Sequence, residues 1–280
     1  MVEPTQPHYV PAPPLPPGQL PPRRISGKLV LAGALVLTGL VLILTIGISR
    51  DEPEPPPEPS FTVESLKPPP GATAPRQALA APEDRPNASD VAELDAWSKR
   101  IAKATQVSAR VLAAYGRAEM WMRSEKPSCK LSWVTVAGIG RVESRHGNFG
   151  GAQVGVDGRV TRPIIGPVLD GSPGVRAIKD TDGGKLDGDV TWDHAVGPLQ
   201  FLPSTWQRWS VRAGADGAAP DPQNIDDAAL AAGRYLCSRG GDLSTPDGWW
   251  DAVLTYNQSV SYGQEVFSGA DAYAAASLNA

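Results

Sequence analysis

The sequence predicts a mainly α-helical domain tethered to a membrane by one amino-terminal helix. Three observations carry that prediction. From residue 89 onward, apolar residues recur at helical spacing between capping residues and prolines. Well ahead of them runs an uncharged stretch from Leu29 to Ile48. Between the two lies a proline-dominated segment, in a chain of 280 residues that carries 29 prolines.

Residues 1–28 include Pro-Ala-Pro-Pro-Leu-Pro-Pro and show almost no hydrophobic periodicity, so they read as a disordered or polyproline tail. The run 29–48 lacks the polar face of a soluble helix, and ~20 residues at ~1.5 Å each span about one hydrocarbon core. Arg23, Arg24 and Lys28 precede it, whereas Arg50 is followed at once by Asp51 and Glu52. The positive-inside bias therefore predicts a single-pass protein of the cell membrane, with its amino terminus cytoplasmic and the domain outside. A cleaved signal peptide is the rival reading, but the run is long for one and no convincing small-x-small site follows. Residues 49–88 hold Asp-Glu-Pro-Glu-Pro-Pro-Pro-Glu-Pro and Lys-Pro-Pro-Pro-Gly. They predict a stiff, extended linker that does not pack and that holds residues 89–280 away from the bilayer.

Within 89–280, Leu94, Trp97 and Ile101 begin a helical face that continues through Val107, Val111, Leu112 and Tyr115, with a break near Thr105–Ser108. Trp121 and Met122 fall on the same spacing and are expected in the core; Pro127 ends the segment. A helix over Trp133 to Val142, with Ser132 as N-cap, runs into the glycines Gly147, Gly150 and Gly151. Glu143 then sits in its last turn, where the helix dipole disfavours negative charge and raises a carboxyl pKa. Such a group suits general acid chemistry, although an isolated Glu on a helix is more often a solvated one.

Residues 147–196 are rich in turn chemistry and predict a loop-built insertion such as a lid or groove wall. Asp180-Thr181-Asp182-Gly183-Gly184 and Asp187-Gly188-Asp189 miss the glycine and glutamate spacing of a helix-loop-helix calcium site, so they read as solvated turns. No metal and no cofactor are expected. Pro203 starts a short helix, Asn224 to Leu236 is an alanine-rich one, and Trp249 to Tyr256 another. Cys129 and Cys237 are the only cysteines; outside the membrane they are expected to form a disulfide, against the alternative of two buried thiols. A net charge of −4 gives no nucleic-acid footprint.

Three pieces thus stand in order: Glu143-Ser144 closing a helix, Gly197-Pro-Leu-Gln-Phe-Leu-Pro-Ser-Thr-Trp206, and Tyr256-Asn257. Over about Leu131 to Tyr273 the chain resembles the lytic murein transglycosylases, of the membrane-bound B type in its actinobacterial form. The resemblance implies a lysozyme-like, mainly helical domain that binds peptidoglycan glycan strands. It implies Glu143 as the catalytic acid/base, followed by Ser144, with Gln200, Phe201, Tyr256 and Asn257 lining the saccharide site. Leu199 departs from the frequent Met of such motifs, a nearly volume-neutral exchange. The implied reaction cleaves the β-1,4 bond after N-acetylmuramic acid and leaves a 1,6-anhydro end, with Phe149, Phe201 and Trp206 as candidates for an apolar surround. Two other functions remain open: a hydrolytic muramidase using Glu143 with an aspartate such as Asp193, and a non-catalytic glycan-binding scaffold.

Overall fold

The computed structural model describes residues 60–80, 90–214, 216–239 and 241–280. The expected membrane helix over 29–48 and the tail before it lie outside these residues. Among the described residues, no helix is long and apolar enough to cross a membrane.

The described chain is mainly helical. Helices α1 (Asp90–Thr105) and α2 (Ala109–Glu125) flank the expected break, where Gln106 takes a left-handed φ of 58°. Thr105 makes that break, because its hydroxyl donates to the Ile101 carbonyl and accepts the Val107 N–H. Pro127 opens a 3₁₀ turn through Cys129 and fixes the end of α2. Then follow α3 (Trp133–Ser144), α4 (Pro203–Trp209), α5 (Ile225–Cys237), α6 (Pro246–Tyr256) and α7 (Val260–Leu278). Ser132 stands at the N-cap of α3 as expected, but its hydroxyl donates to the Ala78 carbonyl rather than capping the helix. Asn224 does cap α5, accepting the Asp226 N–H.

The core centres on Trp97, Tyr115, Trp133 and Trp249, all fully enclosed. Helix α7, which the sequence pattern does not announce, crosses α3 at backbone contact. A Cβ on Gly138 would lie 2.5 Å from the Val266 carbonyl oxygen, so only glycine permits that approach. The Cys129–Cys237 disulfide joins the turn after α2 to the end of α5, with Cα atoms 5.5 Å apart.

The insertion between α3 and α4 is mostly loop, as expected. It carries one antiparallel pair, β1 (Ile165–Val168) with β2 (His194–Val196), in which Ile165 faces Val196. Its aspartates form turns as expected, Asp180, Asp187 and Asp189 partly exposed, but not all of them are solvated. Carboxylate oxygens of Asp180, Asp182 and Asp193 gather within 4.8 Å of one another, and Asp182 and Asp193 are buried. The loop's own groups occupy them. Asp180 accepts from the N–H groups of Asp182, Gly183 and Gly184, Asp182 from those of Lys185 and Leu186, and Asp193 from the N–H and hydroxyl of Thr181.

Two further expectations fail. Residues 60–80 are not an unpacked linker but a strap laid along α7 and the start of α3. Phe61 stacks on Tyr273 at 5.3 Å, the Leu66 N–H donates to the Ser268 hydroxyl, and Arg76 forms a two-point ion pair with Asp271. Ala78 and Ala80 are buried, and the Ala80 N–H donates to Glu119. Proline-rich chain can dock in this way because its carbonyls still accept hydrogen bonds, as Pro68 does from Gln264. Trp121 is not in the core either: its ring is 39% exposed, on the side of α2 that the neighbouring helices leave open.

Candidate active site

Glu143 is the next-to-last residue of α3, as the glycine stop predicts. Beyond it Arg145 and His146 both turn left-handed, at φ 52° and 61°, and the His146 N–H reaches back to the Gly140 carbonyl at 2.8 Å. Two consecutive non-glycine residues in that region carry strain, which surrounding structure must hold in place. His146 supplies the hold. Its ring lies buried between the hydroxyls of Tyr115 (3.2 Å to Nδ1) and Tyr273 (2.8 Å to Nε2). Burial, with Arg141 nearby, pushes its pKa down to about 3, so the imidazole is neutral.

Ser144, beside the glutamate, has a structural task. Its buried Oγ donates to the Pro198 carbonyl at 2.6 Å and accepts the Gly147 N–H at 2.7 Å. One side chain thereby ties the end of α3 to the Gly197–Phe201 turn. That turn begins at Gly197, φ 79°, where a Cβ would fall 1.9 Å from the Pro222 carbonyl oxygen. Gln200 follows at φ 48°, half-buried, its amide donating to the Gly197 carbonyl at 3.0 Å and the Ala195 carbonyl at 3.4 Å. Its Oε1 lies against Gly166 of β1, so the insertion's short sheet backs this residue.

Tyr256, the last residue of α6, donates its hydroxyl to the Leu199 carbonyl at 2.7 Å and joins the same turn. Asn257 is exposed and accepts the Ser259 N–H at 3.1 Å, which starts α7. Phe201 is only 2% exposed; its ring packs on Trp206 and Tyr256 and supports the tyrosine rather than facing solvent. Phe149 lies the other way, 59% exposed on the loop after α3.

The decisive contact is one that sequence reasoning misses. Tyr262, in the first turn of α7, donates its hydroxyl to Glu143 Oε1 at 2.6 Å. Two opposed effects then set the acidity of Glu143. Desolvation raises its pKa and the Tyr262 hydrogen bond lowers it; desolvation wins, and the carboxyl stands at about 7. The charge of Glu143 in turn adds to burial in holding the Tyr256 and Tyr262 phenols well above their ordinary range. Tyr262 follows Tyr256-Asn257 by half a dozen residues, so a search for polar aromatics around that pair would have found it.

The arrangement is one carboxyl poised to give and take a proton near neutrality, hydrogen-bonded to the Tyr262 phenol and close enough to the Tyr256 phenol to act on its charge. Asp193 does not join it. That side chain is fully buried and both its oxygens serve Thr181. Among the described residues no other carboxylate is hydrogen-bonded to Glu143. Comparison of the chain with models of known protein families, with curated proteins and with solved structures finds no match in any of the three.

Proposed function

We propose that the domain is a peptidoglycan lytic transglycosylase of lysozyme-like fold, acting outside the membrane in cell-wall remodelling. The observation that carries this reading is the Glu143 carboxyl, held at about 7 by burial and addressed by Tyr262. A group that is about half protonated at neutral pH can serve as acid and then as base in one cycle.

As acid, Glu143 gives its proton to the oxygen leaving C1 of N-acetylmuramic acid, and the C1–O bond breaks. The sugar's 2-acetamido carbonyl supports the cationic C1, in the manner of substrate-assisted glycosidases. As base, Glu143 then takes the proton from the C6 hydroxyl while O6 bonds to C1. The carboxyl returns to its starting state, no water is consumed, and the product carries a 1,6-anhydro ring. Tyr262 keeps the carboxyl oriented through both transfers. Gln200 and Tyr256 border the place where the acetamido group would lie.

The engagement of Asp193 by Thr181 favours this one-carboxylate route over the ordinary two-carboxylate hydrolysis, in which a second carboxylate must be free to activate water or attack C1. The test is mass spectrometry of murein digests. Glu143→Gln, nearly isosteric, should lower the rate of anhydro-product release by ~10⁴ or more, since one residue serves both proton transfers. Asp193→Asn should lower it far less. Reducing-end products would identify a hydrolase, and binding of murein without any turnover by the parent chain would identify a scaffold.

A further inference from the structure

Of the eight tryptophans, Trp121 is the most exposed, and it forms one wall of a cleft of about 420 Å³. That volume lies in the range of small-ligand sites, roughly 300–1,000 Å³. Ser124 and Glu125 complete the α2 side; Val211, just past α4, and Arg234 of α5 face them. None of these residues belongs to the Glu143 cluster.

The polar groups of the cleft are held, not loose. The Trp121 indole N–H donates to Glu125 Oε2 at 2.7 Å, which fixes the plane of the ring. Arg234 Nη1 donates to the Trp209 carbonyl at 3.1 Å, which fixes the guanidinium. Arg234 Nε and Glu125 Oε1 nevertheless stand 3.9 Å apart, beyond direct hydrogen-bonding distance. A hydroxyl oxygen set beside the pair, about 2.8 Å from each, can accept from the arginine and donate to the carboxylate. The two charges cancel, so the cleft has no preference for an anion such as phosphate. A fixed aromatic face beside a bound donor–acceptor pair matches a pyranose ring, whose C–H face packs on indole while its hydroxyl and acetamido groups find partners at the edge.

We propose that the Trp121 cleft is a second, non-catalytic saccharide site that binds N-acetylamino sugar units of a glycan strand. The identity of the strand rests on the function proposed above; the chemistry of the cleft does not. A strand held there raises the effective concentration of its neighbouring segments at Glu143.

The experiment uses the full chain in detergent, carrying Glu143→Gln to prevent turnover, with chitohexaose as the soluble probe and purified sacculi as the insoluble one. Adding Trp121→Ala should remove one of two bound chitohexaose equivalents in calorimetry. It should also weaken retention on sacculi roughly tenfold, the loss of one truncated aromatic anchor. Ser124→Tyr, which fills the cleft from an exposed helix position, should do the same and guards against a folding artefact. In the chain with Glu143 intact, Trp121→Ala should leave cleavage of short soluble glycan fragments unchanged. Equal stoichiometry and retention with and without Trp121 would overturn the proposal, as would a change in self-association alone, which would make the cleft a protein-docking surface. Failure of the two readings is separable. Saccharide binding that depends on Trp121 in a chain without any turnover sinks only the lytic reading. Turnover with binding indifferent to Trp121 sinks only this one.

Discussion

At the scale of single residues, the chemistry turns on how far Glu143 is drawn toward each of its two charge states. Burial favours the neutral acid, and the Tyr262 phenol favours the carboxylate. In the proposed reaction the group must be protonated at the start, so activity should fall as pH rises through about 7. Tyr262→Phe removes a donor that stabilises the charged form only, so the pKa rises further. The alkaline limb of kcat/KM should then move upward by about one unit, the size of one hydrogen bond to a charged group. A limb left in place would mean that Tyr262 does not set this acidity. Glu143 itself was legible in the sequence because its signals are local: a helix end, a glycine stop, a serine beside it. Tyr262 was not, because it is 119 residues away and only the crossing of two helices brings it near. Phe201 shows the opposite limit: expected to line the site, it is buried and packs under Tyr256 instead.

At the scale of elements, α1 to α3, α5 and α6 follow from apolar spacing, caps and prolines, and the break at Gln106 falls where the pattern fails. Helix α7 was missed because its small residues serve close packing, Gly263 against Trp250 of α6 and Gly269 against Gly138 of α3, and with a run of alanines they leave no clear apolar stripe. The strap was missed for a different reason: proline content predicts how a chain bends, not whether folded helices offer it donors. It should matter energetically. A chain starting at Ser89 loses the burial of Ala78 and Ala80, the Phe61–Tyr273 stack and the Ala80 donor to Glu119, a carboxyl that burial pushes up to about 7. Relative to a chain starting at Ser60, it should be less stable by about 3 kcal/mol or more in chemical denaturation. Equal stability of the two chains would show that the strap merely rests on the surface.

At the scale of the molecule, the Cys129–Cys237 bond closes a loop over a sequence separation of 108, which the unfolded chain would otherwise explore freely. The chain-entropy picture gives ~4–5 kcal/mol for such a closure. Cys237→Ser should therefore melt about 10 °C lower under oxidising conditions. Thiol labelling of both cysteines in the native, unreduced protein would contradict the bond. The pairing was open to sequence reasoning only through the cysteine count and the expected compartment. The separation of the two side chains is a product of how α2 and α5 pack, which no local pattern encodes.

The strap has a further consequence for how this domain can change over evolutionary time. Apart from those of the Arg76 guanidinium, its hydrogen bonds to the helices use main-chain atoms, among them the Leu66 N–H and carbonyl and the carbonyls of Pro68, Thr73 and Ala78, received by Ser268, Gln264, Trp250 and Ser132. Much of the recognition thus resides in the helices, and away from Phe61, Arg76, Ala78 and Ala80 the strap's own side chains are free to drift. Related chains would keep the receiving residues and let the clasp itself diverge into what reads as a featureless proline-rich tail.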